Sequence, residues 1–98
     1  MGRMATDFLI DGMLSGTGVR DARAGGYVKP LELGLPASLA DDLATWQRRY
    51  EEAHFAGFPE EVVDELDGEG LALASRVQDE LSGKSVGYFS NGRMKRLS

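Results

Sequence analysis

The chain has 98 residues, no cysteine and a formal charge of −5. That length fits one domain with a single modest core, and the missing thiols exclude disulfides, thiolate metal sites and a cysteine nucleophile, so a reduced cytoplasm is the expected compartment. With 42% apolar and 28% charged residues the composition excludes wholesale disorder, no apolar run approaches the roughly 20 residues that cross a bilayer, and the net negative charge disfavours direct binding to nucleic acid or anionic lipid.

The start, Met1 to Met4, lacks the apolar stretch of a signal peptide, and residues 1–5 are expected to be flexible. From Asp7 to Leu14 a short apolar run with Phe8, Leu9, Ile10, Met13 and Leu14 predicts a buried strand. A glycine-rich stretch follows, in which Thr17 can cap a short helix and Gly25 can end it. Tyr27 to Pro36, with two prolines and one glycine among Val28, Leu31, Leu33 and Leu35, reads as an extended crossing segment pinned by its apolar residues.

A first long helix is expected near Pro36 or Ser38, where Ser38 and Asp41 resemble a capping box. Leu39, Leu43, Trp46, Tyr50 and Ala53 then recur at three and four residues, one stripe toward a core. Gly57 and Pro59 break the pattern, and Pro59 suits the first position of a second helix running to about Leu81. Its expected stripe is Val62, Leu66, Gly70, Leu73, Val77 and Leu81. Gly68 and Gly70 each cost such a helix about 1 kcal/mol relative to alanine, so packing offsets the loss or the helix bends. Lys84 to Ser90 predicts a second strand, and Asn91-Gly92 signals a two-residue hairpin leading to a third, edge strand over 93–98, with a basic tail as the alternative. The expected fold is α+β: a small two-layer single domain over 1–98, with two or three short strands from the chain ends packed under a long antiparallel helical pair.

Charge is unevenly placed. Ala37 to Leu81 holds twelve acids against three arginines, a segment charge of −9, and the remainder carries +4. Such separation selects partners more than it selects a fold. The solvated acids Glu60, Glu61, Asp64, Glu65 and Asp67 are therefore candidates for docking a basic protein.

A second candidate is the turn Ser15, Gly16, Thr17, Gly18 and Arg20, where closely spaced glycines can expose N–H groups to an anion. It departs from both phosphate-binding fingerprints: Asp21 stands where the dinucleotide motif has its third glycine, and no Gly-Lys-Ser/Thr follows. A structural turn with a capped helix is the plainer reading. His54 is the sole histidine, so a metal site or triad would lack ligands or a base elsewhere. No catalytic residue, cofactor or metal is expected. Trp46 and Tyr50 fall in the core stripe. Tyr88 and Phe89 point to opposite faces of their strand, and an uncovered Phe89 face would favour self-association. The Arg93, Lys95 and Arg96 cluster can pair with the acidic helices or guard an edge strand.

Four stretches, Leu14 to Ala22, Trp46 to Tyr50, Leu66 to Ala74 and Val86 to Ser90, resemble a group of small uncharacterised bacterial proteins. Some chains with a similar Trp-x-x-x-Tyr helix and Asp-x-Glu-Gly-x-x-Leu-Ala helix resemble cytoplasmic immunity proteins of contact-dependent toxin systems. The resemblance implies a bacterial, cytoplasmic interaction protein and transfers no catalytic residue. The expected function is thus a noncatalytic module whose acidic helical face binds a basic protein, with nucleic-acid mimicry as a special case. The alternatives are a small anionic-ligand binder or enzyme built on the glycine-rich turn, and a structural homodimer joined through the sheet.

Overall fold

The computed structural model describes residues 6–98, so the expectation for residues 1–5 lies outside the described residues. Four strands, β1 (Phe8–Asp11), β2 (Val19–Asp21), β3 (Val86–Ser90) and β4 (Lys95–Arg96), form one mixed sheet in the order β2-β1-β3-β4. Two helices, α1 (Ala37–Phe55) and α2 (Glu60–Glu80), cover one face of it. The α+β, two-layer architecture follows from the sequence, with one strand more than expected.

That extra strand corrects the short helix expected after Thr17. Val19, Arg20 and Asp21 pair antiparallel with Ile10, Leu9 and Phe8, and the Thr17 hydroxyl donates to the carbonyl oxygens of Val28 at 2.6 Å and Val19 at 3.2 Å rather than capping a helix. β1 and β3 run parallel at the centre, with Phe8 opposite Val86 and Asp11 opposite Phe89. The edge strand exists, but the turn leading to it spans Asn91–Met94, four residues where the Asn-Gly signal predicts two. The buried Asn91 side chain is held inward by donating to Asp11 Oδ1 at 2.6 Å, which accounts for the wider turn.

α1 begins one residue after Pro36, and no side chain caps it, so the expected Ser38–Asp41 box does not form. Its stripe is the predicted one: Leu39, Leu43, Trp46, Tyr50 and Ala53 are all buried. Gly57 and Phe58 both take positive φ after α1, and the Phe58 N–H returns to the Ala53 carbonyl at 2.9 Å, closing the helix end. Pro59 then sits just before α2 rather than inside it. The buried stripe of α2 is Val63, Leu66, Asp67, Gly70, Leu73, Ala74 and Val77. Val62 is 39% exposed, so the inward arc is displaced by a residue at the helix start.

The core joins Ile10, Val19 and Tyr88 from the sheet to the leucines and aromatics of both helices. Trp46 lies at its centre, edge-on to the rings of Tyr50 and Tyr88 at 5.4 and 5.9 Å. Its indole N–H donates to the Leu66 carbonyl at 2.8 Å, tying α1 to α2. Gly70 remains inside a continuous helix for a local reason: a methyl group there would stand 2.2 Å from Tyr88 Cε1. The absent side chain lets the Tyr88 ring lie against α2. A Cβ on Gly68 would meet nothing within 4 Å, so no packing explains that glycine.

Candidate functional site

The close approach at Gly70 delivers the Tyr88 hydroxyl to Asp67, on which three hydroxyls and an arginine converge. Asp67 is 4% exposed. Its Oδ1 accepts from Tyr50 at 2.8 Å and Tyr88 at 2.6 Å, and its Oδ2 accepts from Ser90 at 2.7 Å, with Arg93 Nε at 3.3 Å. Tyr50 in turn accepts the Gly92 N–H at 3.1 Å. Burial above all, with the neighbouring carboxylate in support, raises the pKa of Tyr88; burial also raises that of Tyr50. Both phenols are therefore kept as donors. The network knits α1, α2 and β3 together. Its place among the docking acids is corrected: it faces the core, since position 67 falls on the buried arc between Val63 and Gly70.

The remaining acids divide. Arg49 of α1 reaches Glu65 at 2.6 Å and Glu69 at 2.7 Å, Arg76 reaches Asp42 at 2.8 Å, and Arg93 pairs with Asp64. Arg49 and Arg76 bridge the two helices while Arg93 reaches α2 from the β3–β4 turn, so the middle of the helical face is a ladder of alternating charge. Glu60 and Glu61, with Glu52 across the turn, are exposed and in no ion pair among the described residues. Their end of the helical pair also exposes Phe55, at 83%, and Val62. Unneutralised acids thus cluster beside the most exposed aromatic ring.

The glycine-rich turn is divided too. The Ser15 N–H donates to Glu51 Oε2 at 3.0 Å, and the Gly16 N–H donates to the Met13 carbonyl at 3.0 Å. The protein's own carboxylate therefore occupies an N–H of the turn. Gly18 is buried against α1. Arg20 leaves the turn for the far face of the sheet. There its Nε lies 3.2 Å from Asp11 Oδ2 and its guanidinium sits 5.3 Å over the Phe89 ring, so the face expected to be sticky carries a cation. Asp11 is fully buried, and its Oδ1 also accepts the Met13 N–H at 2.9 Å. Tyr27, bridged to Arg20 in the sheet, has its pKa pushed up to about 12 by burial first and then by the Asp11 carboxylate.

Gly16 and Thr17 instead face a cleft of about 550 Å³ between α1 and a short 3₁₀ turn over Pro30–Leu33. Gln47, only 6% exposed, lies on its floor. His54, edge-on to the Phe58 ring at 4.7 Å, meets the Gly12 carbonyl at 3.0 Å through Nε2. Among the described residues, no three His, Asp or Glu side chains are grouped to hold a metal ion, and no helix is long and apolar enough to cross a membrane. Sequence reasoning missed Gln47 and Asp67 because polar residues on amphipathic helices read as solvated. The signal for Asp67 was its position three residues before Gly70.

No family model matches the chain, and no match is found among the curated proteins or the solved structures.

Proposed function

We propose that this protein is a noncatalytic interaction module that docks a basic protein on the α1–α2 end of its helical layer. One observation carries the reading: Phe55 is 83% exposed, and Glu52, Glu60 and Glu61 around that turn have no cationic partner among the described residues. An aromatic anchor with a charged rim is the anatomy of a binding hot spot. The acids would speed encounter with a basic surface and select against acidic ones. The exposed first-turn acids also favour α2 itself through the helix dipole, which makes Phe55 the stronger half of the argument. The resemblance to cytoplasmic immunity proteins suggests a toxin as the partner.

The test is affinity capture at low and high salt with wild type, Phe55→Ser and the pair Glu60→Lys with Glu61→Lys. A basic protein recovered by wild type, released by salt and lost with either variant supports the reading. Equal recovery by all three overturns it, as does the absence of any basic protein. Duplex DNA competing for the same partner would identify the acids as imitating a phosphate row.

A further inference from the structure

Asn91-Gly92, which opens the turn from β3 to β4, is a dipeptide with the means to destroy its own amide. Glycine has no side chain, so its backbone nitrogen approaches the preceding Cγ without hindrance. The Gly92 nitrogen gives up its proton and bonds to Asn91 Cγ, the Cγ–Nδ2 bond breaks, and Nδ2 leaves as ammonia carrying that proton. Water then opens the cyclic imide. Opening at Cγ leaves an aspartyl residue, whereas opening at the main-chain carbonyl leaves an isoaspartyl residue with an extra methylene in the backbone.

In the folded chain both reacting groups are engaged elsewhere. Asn91 is 1% exposed, and its Nδ2 donates to Asp11 Oδ1 at 2.6 Å. The Gly92 N–H donates to the Tyr50 hydroxyl at 3.1 Å, and that hydroxyl is itself anchored on Asp67 at 2.8 Å. The product would fit badly in the same place. Asp11 is fully buried, and the guanidinium beside it, Arg20 with Nε 3.2 Å from Oδ2, already serves that carboxylate. A carboxylate in place of the Asn91 amide would set oxygen against oxygen where the fold now has a donor, a charge that burial and repulsion both oppose.

We propose that Asn91-Gly92 is a deamidation site that folding closes and unfolding opens, and that the carboxylate it produces bars return to the native state. The pair then records how long a chain has spent unfolded. The inference is independent of the docking reading, which uses the α1–α2 turn.

Parallel incubation of the folded protein and of the same protein in guanidinium chloride, at one temperature and neutral pH, tests it through peptide mass spectrometry of the segment spanning Asn91. Folded domains open fully in fewer than about one molecule in a thousand, and the reaction is confined to open molecules. Conversion is therefore expected to be at least about a hundredfold slower in the folded sample. Comparable rates overturn the proposal, as does an unfolded chain that keeps its Asn91 amide. After dilution of the denaturant, the unconverted fraction should regain native tryptophan fluorescence, and the converted fraction, separated by its added negative charge, should unfold at a lower denaturant midpoint. A converted fraction with the native midpoint overturns the proposal. Asn91→Ala loses the same hydrogen bond without adding a charge, so Asn91→Asp is expected to be the less stable of the two despite its closer shape. The reverse order, or equality, overturns the proposal, and should neither variant fold, the midpoint of the converted wild-type fraction decides.

Discussion

Asp67 shows how much one misread residue can hold. Three hydroxyls and Arg93 converge on it, so Asp67→Ala leaves several buried donors without an acceptor. Breaking such a network costs about 3–5 kcal/mol, and urea unfolding followed by tryptophan fluorescence should show a loss of that size. Its burial was hidden in the sequence by eleven similar residues in the same segment, most of which are solvated. Asp7 illustrates a different case, a partly covered carboxylate at the sheet's end with a defined task. It accepts the Ser85 N–H at 2.9 Å and pairs with Arg23 at 2.5 Å, and these contacts, Ser85 first, hold its pKa below the usual aspartate value. The folded state therefore binds fewer protons than the unfolded one in that window. The stabilisation is complete above about pH 4 and disappears as pH falls through the lowered folded value. Asp7→Asn should flatten the acid limb of a urea-midpoint profile, and an unchanged limb would show that the clamp is unimportant.

α2 carries two glycines with opposite predicted behaviour, separable only at the level of the element. Gly68→Ala places a methyl group in open space and should stabilise by up to about 1 kcal/mol through helix propensity. Gly70→Ala gains the same propensity but drives Cβ into the Tyr88 ring, and overpacking of this kind costs about 1–3 kcal/mol. Parallel thermal melts decide the matter: opposite signs are expected. The spacing of apolar residues revealed both helices and the placement of Gly70 on an inward stripe, because a 3.6-residue repeat is sampled many times over such lengths. It did not reveal β2, whose three residues span too little chain to show alternation, nor the one-residue displacement at Val63, where Val62 and Val63 are equally apolar. The cleft was invisible for a related reason. Which stretches enclose it is set by how the chain packs and not by any local spacing, and only Gly16 and Thr17 of the suspected glycine-rich turn face it.

For the molecule as a whole, all three tyrosines, Tyr27, Tyr50 and Tyr88, have raised pKa values, each mainly through burial. The folded state then retains protons that the unfolded chain releases near pH 10, so stability declines as pH rises beyond that point. Tyrosinate absorbance is expected to appear together with loss of helical circular dichroism in an alkaline titration. Phenol ionisation well before unfolding would contradict the burial of these rings. The central seam of the sheet has a further consequence. Phe8 lies against Val86, so a nascent polypeptide leaving the ribosome presents its first strand long before its parallel neighbour has been synthesised. Such distant pairing slows folding, and the newborn chain holds an unzipped ribbon that invites chaperone capture until translation has passed the helices.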